Sequence, residues 1–162
     1  MPQSFADQAG RESIGLPPRE PPPKTPRVPR SILVLLDADR RTNPGVISVA
    51  MTRARLTGAH VTMLCVWRRS RLLVLAPLAN EDPDVLFRAH KRVVGEWFRA
   101  RIDEVPANVA LRTLLREGRA VDQIVRELRI RHYDELVLDR RLRRHEAARI
   151  TRAAPEVNVI AL

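Results

Sequence analysis

The sequence predicts an α/β fold in which a parallel sheet is covered by helices on both faces, and three observations indicate it. Continuous apolar runs such as Ile32-Leu-Val-Leu-Leu36 are typical of strands buried on both sides, because a half-exposed strand would alternate apolar and polar residues. Helical periodicity follows each run, and strand and helix signals alternate to the carboxyl terminus. Right-handed crossovers between such units give five parallel strands.

The first strand begins at about Ser31 and runs directly into two acids, Asp37 and Asp39. Open parallel sheets bind their ligands just beyond the carboxyl ends of central strands. We therefore expect these two carboxylates to face whatever site the protein has.

The first helix is predicted to start at Asn43, which can cap it, with Pro44 at its first position. Gly58 ends this helix. Four residues share its apolar face: Ile47, Ala50, Met51 and Ala54. A second buried strand follows over residues 61–67.

Residues 68–80 are less regular and are interpreted as a mobile or ligand-covering loop with one apolar patch. Asp82-Pro83 then starts the clearest helix of the chain, which is predicted to run to about residue 105. Its apolar stripe consists of Leu86, Ala89, Val93, Val94, Trp97, Phe98, Ile102 and Val105. The two aromatic residues of this stripe are interpreted as core anchors.

The remaining elements repeat the alternation. A third strand over 109–115 leads through Glu117-Gly118 to a third helix, whose apolar positions are Val121, Ile124, Val125 and Leu128. A short fourth strand covers 135–138, a last helix covers roughly 142–153, and Pro155 stops it. The fifth strand is predicted over 157–162.

Residues 1–30 carry eight of the thirteen prolines and are predicted to form a disordered, polyproline-like tail, which leaves 31–162 as the folded domain. Cys65 is the only cysteine and lies inside an apolar run, so we expect a buried, inert thiol. No run of eighteen apolar residues exists, and the amino terminus lacks a hydrophobic signal region. We therefore expect a cytoplasmic protein with no membrane span.

The formal net charge is +10, and 27 of the 29 basic residues are arginine. Such an excess of arginine over lysine is typical of GC-rich coding sequences. Part of the positive charge therefore reflects the base composition of the gene rather than binding to a partner. Nucleic-acid or ribosome association stays an open alternative. Only six aromatic residues exist, and they are not interleaved with basic residues as in proteins that bind single strands.

In order and spacing, residues 31–162 resemble the universal stress protein family. The resemblance lies in the opening strand that ends at Asp37, in Gly58-Ala-His-Val-Thr-Met-Leu-Cys-Val66, in Gly118 followed by Ile124, in Tyr133-Asp-Glu-Leu-Val-Leu138 and in the ending Ala154-Pro155…Val157-Asn-Val-Ile160. It implies an adenine nucleotide alpha hydrolase-like fold with strand order 3-2-1-4-5. It also implies a homodimer that forms through the last strand.

The sequence departs from the family at the phosphate loop. ATP-binding members carry Gly-x-x-Gly-x9-Gly-Ser/Thr after strand four, because backbone amides must approach the phosphates closely. Here Asp139 and Leu142 replace the first two glycines, and Arg144-His145 stands where Gly-Ser is expected. No glycine follows Gly118. The resemblance therefore supports the fold and argues against the usual ATP site.

Two sets of candidate site residues follow. The candidate nucleotide pocket comprises Asp37, Asp39, Val66, Gly118, Leu138 and Asp139, of which Asp37 and Val66 match family positions that line the adenine pocket. The candidate anion-binding cluster comprises Arg140, Arg141, Arg143 and Arg144, since guanidinium groups can hold phosphates bidentately. A solvated helix start explains this cluster equally simply.

We expect a regulatory or interaction module with an unknown protein partner and without a cofactor, metal or catalytic residues. No Ser/His/Asp set, Walker loop or metal-ligand spacing is present. Two alternatives stay open. One is a nucleic-acid or ribosome-associated stress factor that uses an Arg-rich face. The other is a stress protein that binds ATP or another adenine nucleotide.

Overall fold

A computed structural model describes residues 28–39, 42–69, 82–139 and 142–162. The predicted proline-rich tail falls almost entirely outside these ranges, as does most of the predicted loop at 68–80. Five strands and four helices alternate within the described residues: β1 Ser31–Asp37, α1 Gly45–Thr57, β2 His60–Trp67, α2 Pro83–Asp103, β3 Leu111–Glu117, α3 Ala120–Ile130, β4 Glu135–Leu138, α4 Arg144–Ala153 and β5 Asn158–Ala161.

The five strands form one parallel sheet in the order β3-β2-β1-β4-β5, as predicted. β1 lies at its centre, with Ile32 opposite both Val61 of β2 and Glu135 of β4. The interior of β1 is completely buried, which explains its unbroken apolar sequence.

Successive residues of β1 belong to different cores. Ile32, Val34 and Leu36 pack with the buried residues of α1 and α2, whereas Leu33 and Leu35 pack with those of α3 and α4. The sheet therefore separates an α1/α2 side from an α3/α4 side, and the prediction of helices on both faces is confirmed.

Helix α1 begins at Gly45, with Pro44 in the cap position, one residue later than predicted, but the predicted capping side chains make hydrogen bonds at the starts of α1 and α2. The Asn43 side chain accepts a hydrogen bond from the Gly45 N–H at 2.9 Å, and Gly58 ends α1 in the left-handed conformation with φ +70°. The Asp82 side chain caps α2 by accepting the Asp84 N–H at 2.8 Å. All four predicted apolar residues of α1 are buried.

Several predictions need correction. The last helix begins at Arg144 rather than at about 142, and the fifth strand covers Asn158–Ala161 rather than 157–162. The third strand runs from Leu111 to Glu117, two residues later than predicted, although Val109 is still buried. The apolar stripe of α2 is also narrower than predicted, because the Val93 side chain is 60% exposed. Phe87 replaces it as an anchor and packs on Trp67 with ring centroids 5.2 Å apart.

On each side of the sheet, a buried acid pairs a helix with a strand. On the α3/α4 side, Glu127 is fully buried and accepts hydrogen bonds from Arg112 at 3.1 Å, from Arg116 and, at 2.9 Å, from the Tyr133 hydroxyl. On the α1/α2 side, Glu135 is paired with Arg53 of α1. Each pair ties a helix to a strand.

A third carboxylate closes the amino end of the sheet. Asp134 accepts hydrogen bonds from the backbone N–H groups of Arg30 and Ser31, both at 2.9 Å, and from the Ser31 hydroxyl at 3.0 Å. Burial disfavours the ionised form of Asp134, but these bonds outweigh it and lower its pKa.

Within the described residues, no helix combines the length and the apolar character that a membrane crossing requires.

Candidate functional site

A cleft opens at the carboxyl ends of β1 and β4, on the α3/α4 side of the sheet. Its cavity volume is only about 40 Å³, within about 520 Å³ of space that includes open solvent. Its floor is apolar and includes Leu35 and Val121, and its rim is charged. The described residues that line it are Leu35, Asp37, Thr42, Arg68, Arg119, Ala120, Val121, Asp139, Leu142 and Glu146.

Asp37 is held at the end of β1 by the turn that follows. Thr42 Oγ1 accepts the Asp37 N–H at 3.0 Å and donates to the Asp37 carbonyl oxygen at 3.1 Å. The Asp37 carboxylate itself accepts the N–H of Asp39 at 3.1 Å. These bonds fix the position from which Asp37 faces the cleft.

Asp39 does not line the cleft and lies instead towards α2. Its side chain is 4% exposed, with one carboxylate oxygen 3.8 Å from Arg68 Nε and the other 4.0 Å from His90 Nε2. The His90 ring stacks at a tilt on Trp67, with centroids 5.7 Å apart. The two acids that were predicted together therefore point to different surroundings.

The amino terminus of α4 meets the cleft at Glu146. The Glu146 carboxylate turns back and accepts the backbone N–H of Arg143 at 2.8 Å. In this way the helix supplies its own anion to its positive end. Asp139, which directly follows β4, adds a second carboxylate to the same region.

The cleft is therefore lined by three acids, Asp37, Asp139 and Glu146, and two bases, Arg68 and Arg119, among the described residues. Carboxylates therefore outnumber guanidinium groups in this lining. The sequence has no glycine after Gly118, so none lies in the segment that follows β4.

The other predicted pocket residues lie beside the cleft rather than in its lining. Val66 and Leu138 are each 1% exposed and belong to the same core as the cleft floor. Gly118 follows β3 with φ +135°, and its N–H binds the Trp67 carbonyl at 2.9 Å. Their role towards a nucleotide stays a prediction.

Of the predicted anion-binding cluster, Arg140 and Arg141 lie outside the described residues. Arg143 and Arg144 are exposed at the start of α4. The prediction of a buried thiol is confirmed, because Cys65 is fully buried. Burial, together with the charges of Asp37 and Asp39, raises its pKa to about 12, which disfavours the reactive thiolate.

Four charged or polar lining residues were missed: Thr42, Arg68, Arg119 and Glu146. Arg68 and Arg119 each follow the carboxyl end of a strand, and the rule that singled out Asp37 would have found them. Glu146 carried the weaker signal of an acid in the first turn of a helix.

Solved structures share this fold. The universal stress protein UspA from Lactobacillus plantarum is 19% identical over 82% of this chain and 96% of its own, with a TM-score of 0.52. A universal stress protein family member from Burkholderia pseudomallei is 18% identical over 83% and 96%, with a TM-score of 0.59. The hypothetical protein MJ0577 is 12% identical over 82% and 96%, with a TM-score of 0.62.

No protein-family model matches the sequence, and no curated protein matches it. The structural likeness establishes the fold, which is that of the universal stress proteins. The resemblance drawn from the sequence is confirmed at this level, including the strand order it implied.

Proposed function

We propose that this chain is a universal stress protein-like regulatory or interaction module that does not hold ATP on a backbone phosphate cradle. The observation that carries the proposal is the hydrogen bond between the Glu146 carboxylate and the Arg143 N–H at the start of α4. This carboxylate occupies the helix end at which a phosphate group would otherwise be bound.

The charge of the cleft supports the same conclusion. A triphosphate would have to approach Asp37, Asp139 and Glu146 together, and only Arg68 and Arg119 would offset them among the described lining residues. Asp139 also introduces a side chain where the family's phosphate loop has glycine. ATP therefore does not fit the residues present, and we assign the chain no nucleotide-dependent catalysis.

The exposed edge of the sheet supports an assembly through the last strand. β5 pairs only with β4 and forms one edge of the sheet. Val159 of β5 is 39% exposed, and an added strand at this edge would cover it as well as pair with the free side of β5. We propose a homodimer in the cytoplasm, joined by this edge.

Thermal unfolding of the full-length chain with Mg-ATP tests the proposal. A ligand present at 100 times its Kd adds about 2.7 kcal/mol to stability, so binding would raise the Tm clearly. We expect no rise at millimolar Mg-ATP. The variant Asp139→Asn/Glu146→Gln removes both charges at nearly constant volume and should show a measurable rise if repulsion is the obstacle.

The matched control is Asp122→Asn/Glu96→Gln, which removes two acids away from the cleft lining and should respond to Mg-ATP as the wild type does. A Tm rise of the wild type with Mg-ATP, lost in Arg119→Gln, would contradict the proposal.

A further inference from the structure

Basic residues are distributed unequally between the two sides of the sheet. On the α3/α4 side, the helices and the residues that flank them carry eight exposed arginines: Arg119, Arg126, Arg129, Arg131, Arg143, Arg144, Arg149 and Arg152. We call this set the arginine face. Its only partly exposed acids are Asp122 and Glu146.

Those two acids are already engaged. Asp122 accepts a hydrogen bond from Arg149 at 2.8 Å, and Glu146 caps α4. Glu127, the third acid of these helices, is fully buried between Arg112 and Arg116 of β3. The arginine face therefore keeps a strong positive potential towards solvent.

The α1/α2 side shows that this is not a uniform consequence of composition. There α1 and α2 carry seven basic residues, and five acids lie on α2 or its caps, so the basic excess is two, compared with six on the arginine face. The basic residues are Arg53, Arg55, Arg88, Lys91, Arg92, Arg99 and Arg101, and the acids are Asp82, Asp84, Glu96, Asp103 and Glu104. An arginine-rich composition acts on both sides alike. The larger excess of basic over acidic residues on the α3/α4 side therefore depends on where the residues lie and not on the overall composition.

The arrangement of the arginine face matches an extended polyanion. α3 and α4 lie side by side, since Arg149 of α4 reaches Asp122 of α3. Arg119 and Arg131 bracket α3, about 18 Å apart at 1.5 Å per residue. Arg143 and Arg152 span about 14 Å of α4. Arginines spread over both helices suit a series of phosphates rather than a single small anion.

We propose that the arginine face binds the phosphodiester backbone of a double-stranded nucleic acid. The described residues of α3, α4 and their caps contain no Phe, Tyr or Trp, and Tyr133 just beyond α3 is buried, so they offer no exposed ring of these types on which unpaired bases would stack. Arginine contacts to phosphate need no base stacking and carry little sequence information. This inference rests on the proposed function, because it identifies a nucleic acid as the partner of the proposed interaction module.

Fluorescence anisotropy of the full-length chain with labelled 20-base-pair RNA and DNA duplexes tests this. We expect binding at 50 mM salt that weakens about 100-fold by 200 mM if about four phosphates are neutralised. Binding to RNA alone, to DNA alone or to both supports the proposal and shows which nucleic acid supplies the phosphodiester backbone. No binding to either duplex at 50 mM salt overturns it.

Two matched variants locate the surface. Arg126→Gln/Arg129→Gln/Arg152→Gln removes three exposed arginines of the face, whereas Arg88→Gln/Arg92→Gln/Arg99→Gln removes three exposed arginines of α2. The first should weaken binding at least about tenfold and flatten the salt slope by about three. The second variant has the same net charge as the first, but it should bind as the wild type does.

Three further outcomes would overturn the proposal: an equal loss of affinity in both variants, tighter binding to a single strand than to the duplex, or competition by polyglutamate as effective as that by unlabelled duplex. The last would assign the face to an acidic protein. A Tm response to Mg-ATP would contradict the proposed function alone, so the two failures can be told apart.

Discussion

The two helical layers stabilise the sheet in different ways. On the α1/α2 side, the buried acid Glu135 is paired with Arg53, whose side chain is 40% exposed and can reach water. On the α3/α4 side, Glu127 is fully buried and holds Arg112, Arg116 and Tyr133 at once. Glu135 therefore makes one ion pair near the surface, whereas Glu127 is the shared acceptor of a hydrogen-bond network.

The difference determines how much each acid matters. Removal of one partner of a buried ion pair leaves the other charge without compensation, and the cost rises with the number of groups left behind. Loss of Glu127 would leave a buried hydroxyl and two partly exposed arginines, with the Arg112 side chain 39% and the Arg116 side chain 20% exposed, whereas loss of Glu135 would leave only Arg53, which is 40% exposed. The free energy of unfolding should therefore be more sensitive to loss of Glu127 than to loss of Glu135.

The largest expected effect is that of Glu127→Ala. We expect it to lower the free energy of unfolding by about 3–5 kcal/mol, because three donors lose a common acceptor and a cavity forms. Urea denaturation followed by circular dichroism measures this. Glu127→Leu fills the space without the charge, and a cost much smaller than that of the alanine variant would show that packing outweighs the network.

Arg53→Met should have a smaller effect, about 2 kcal/mol, because it leaves only the Glu135 carboxylate buried and unpaired. Glu135→Gln should cost less than this, since Arg53 can then turn towards water. The double variant Arg53→Met/Glu135→Gln completes a cycle that isolates the pair. If Arg53→Met costs as much as Glu127→Ala, the contrast between the two sides fails.

The sequence predicted the central strands well because burial on both faces leaves a continuous apolar run, as in β1. The edge strand β3 gave a weaker signal, since Arg112 and Arg116 interrupt its apolar residues. Its start was placed two residues early, at Val109, which is buried but precedes the strand.

Glu127 could not be predicted as a buried residue. In Ala120-Val-Asp-Gln-Ile-Val-Arg-Glu-Leu-Arg-Ile130 it reads as one of several charges on an amphipathic helix. Its partners come from β3 and from Tyr133 beyond the helix, so only the tertiary structure brings them together. The cleft shows the same division: Asp37 and Asp139 follow strands and were predicted, while Glu146 acts through a helix cap.

The smallest expected effect concerns the pH dependence of the stability that Glu127 contributes on the α3/α4 side. Burial opposes ionisation of Glu127, but the hydrogen bonds from Tyr133 and Arg116 and the charges of Arg116 and Arg112 lower its pKa. A lowered pKa means that the carboxylate stabilises the fold above its unfolded pKa of about 4.3, and that this contribution is lost as the pH falls through the folded value. Glu127→Gln should therefore cost about 1.5 kcal/mol at pH 7 and progressively less below about pH 5.

Urea midpoints of the wild type and Glu127→Gln at pH 7, 5, 4 and 3 measure this convergence. The lowered pKa of Asp134 adds acid sensitivity to both proteins and cancels in their difference. Glu96→Gln, the same chemical change at an exposed position of α2, is the matched control and should differ little from the wild type at any pH. A constant gap between the wild type and Glu127→Gln from pH 7 to 3 would show that the charge of Glu127 is not what holds Arg112, Arg116 and Tyr133 together.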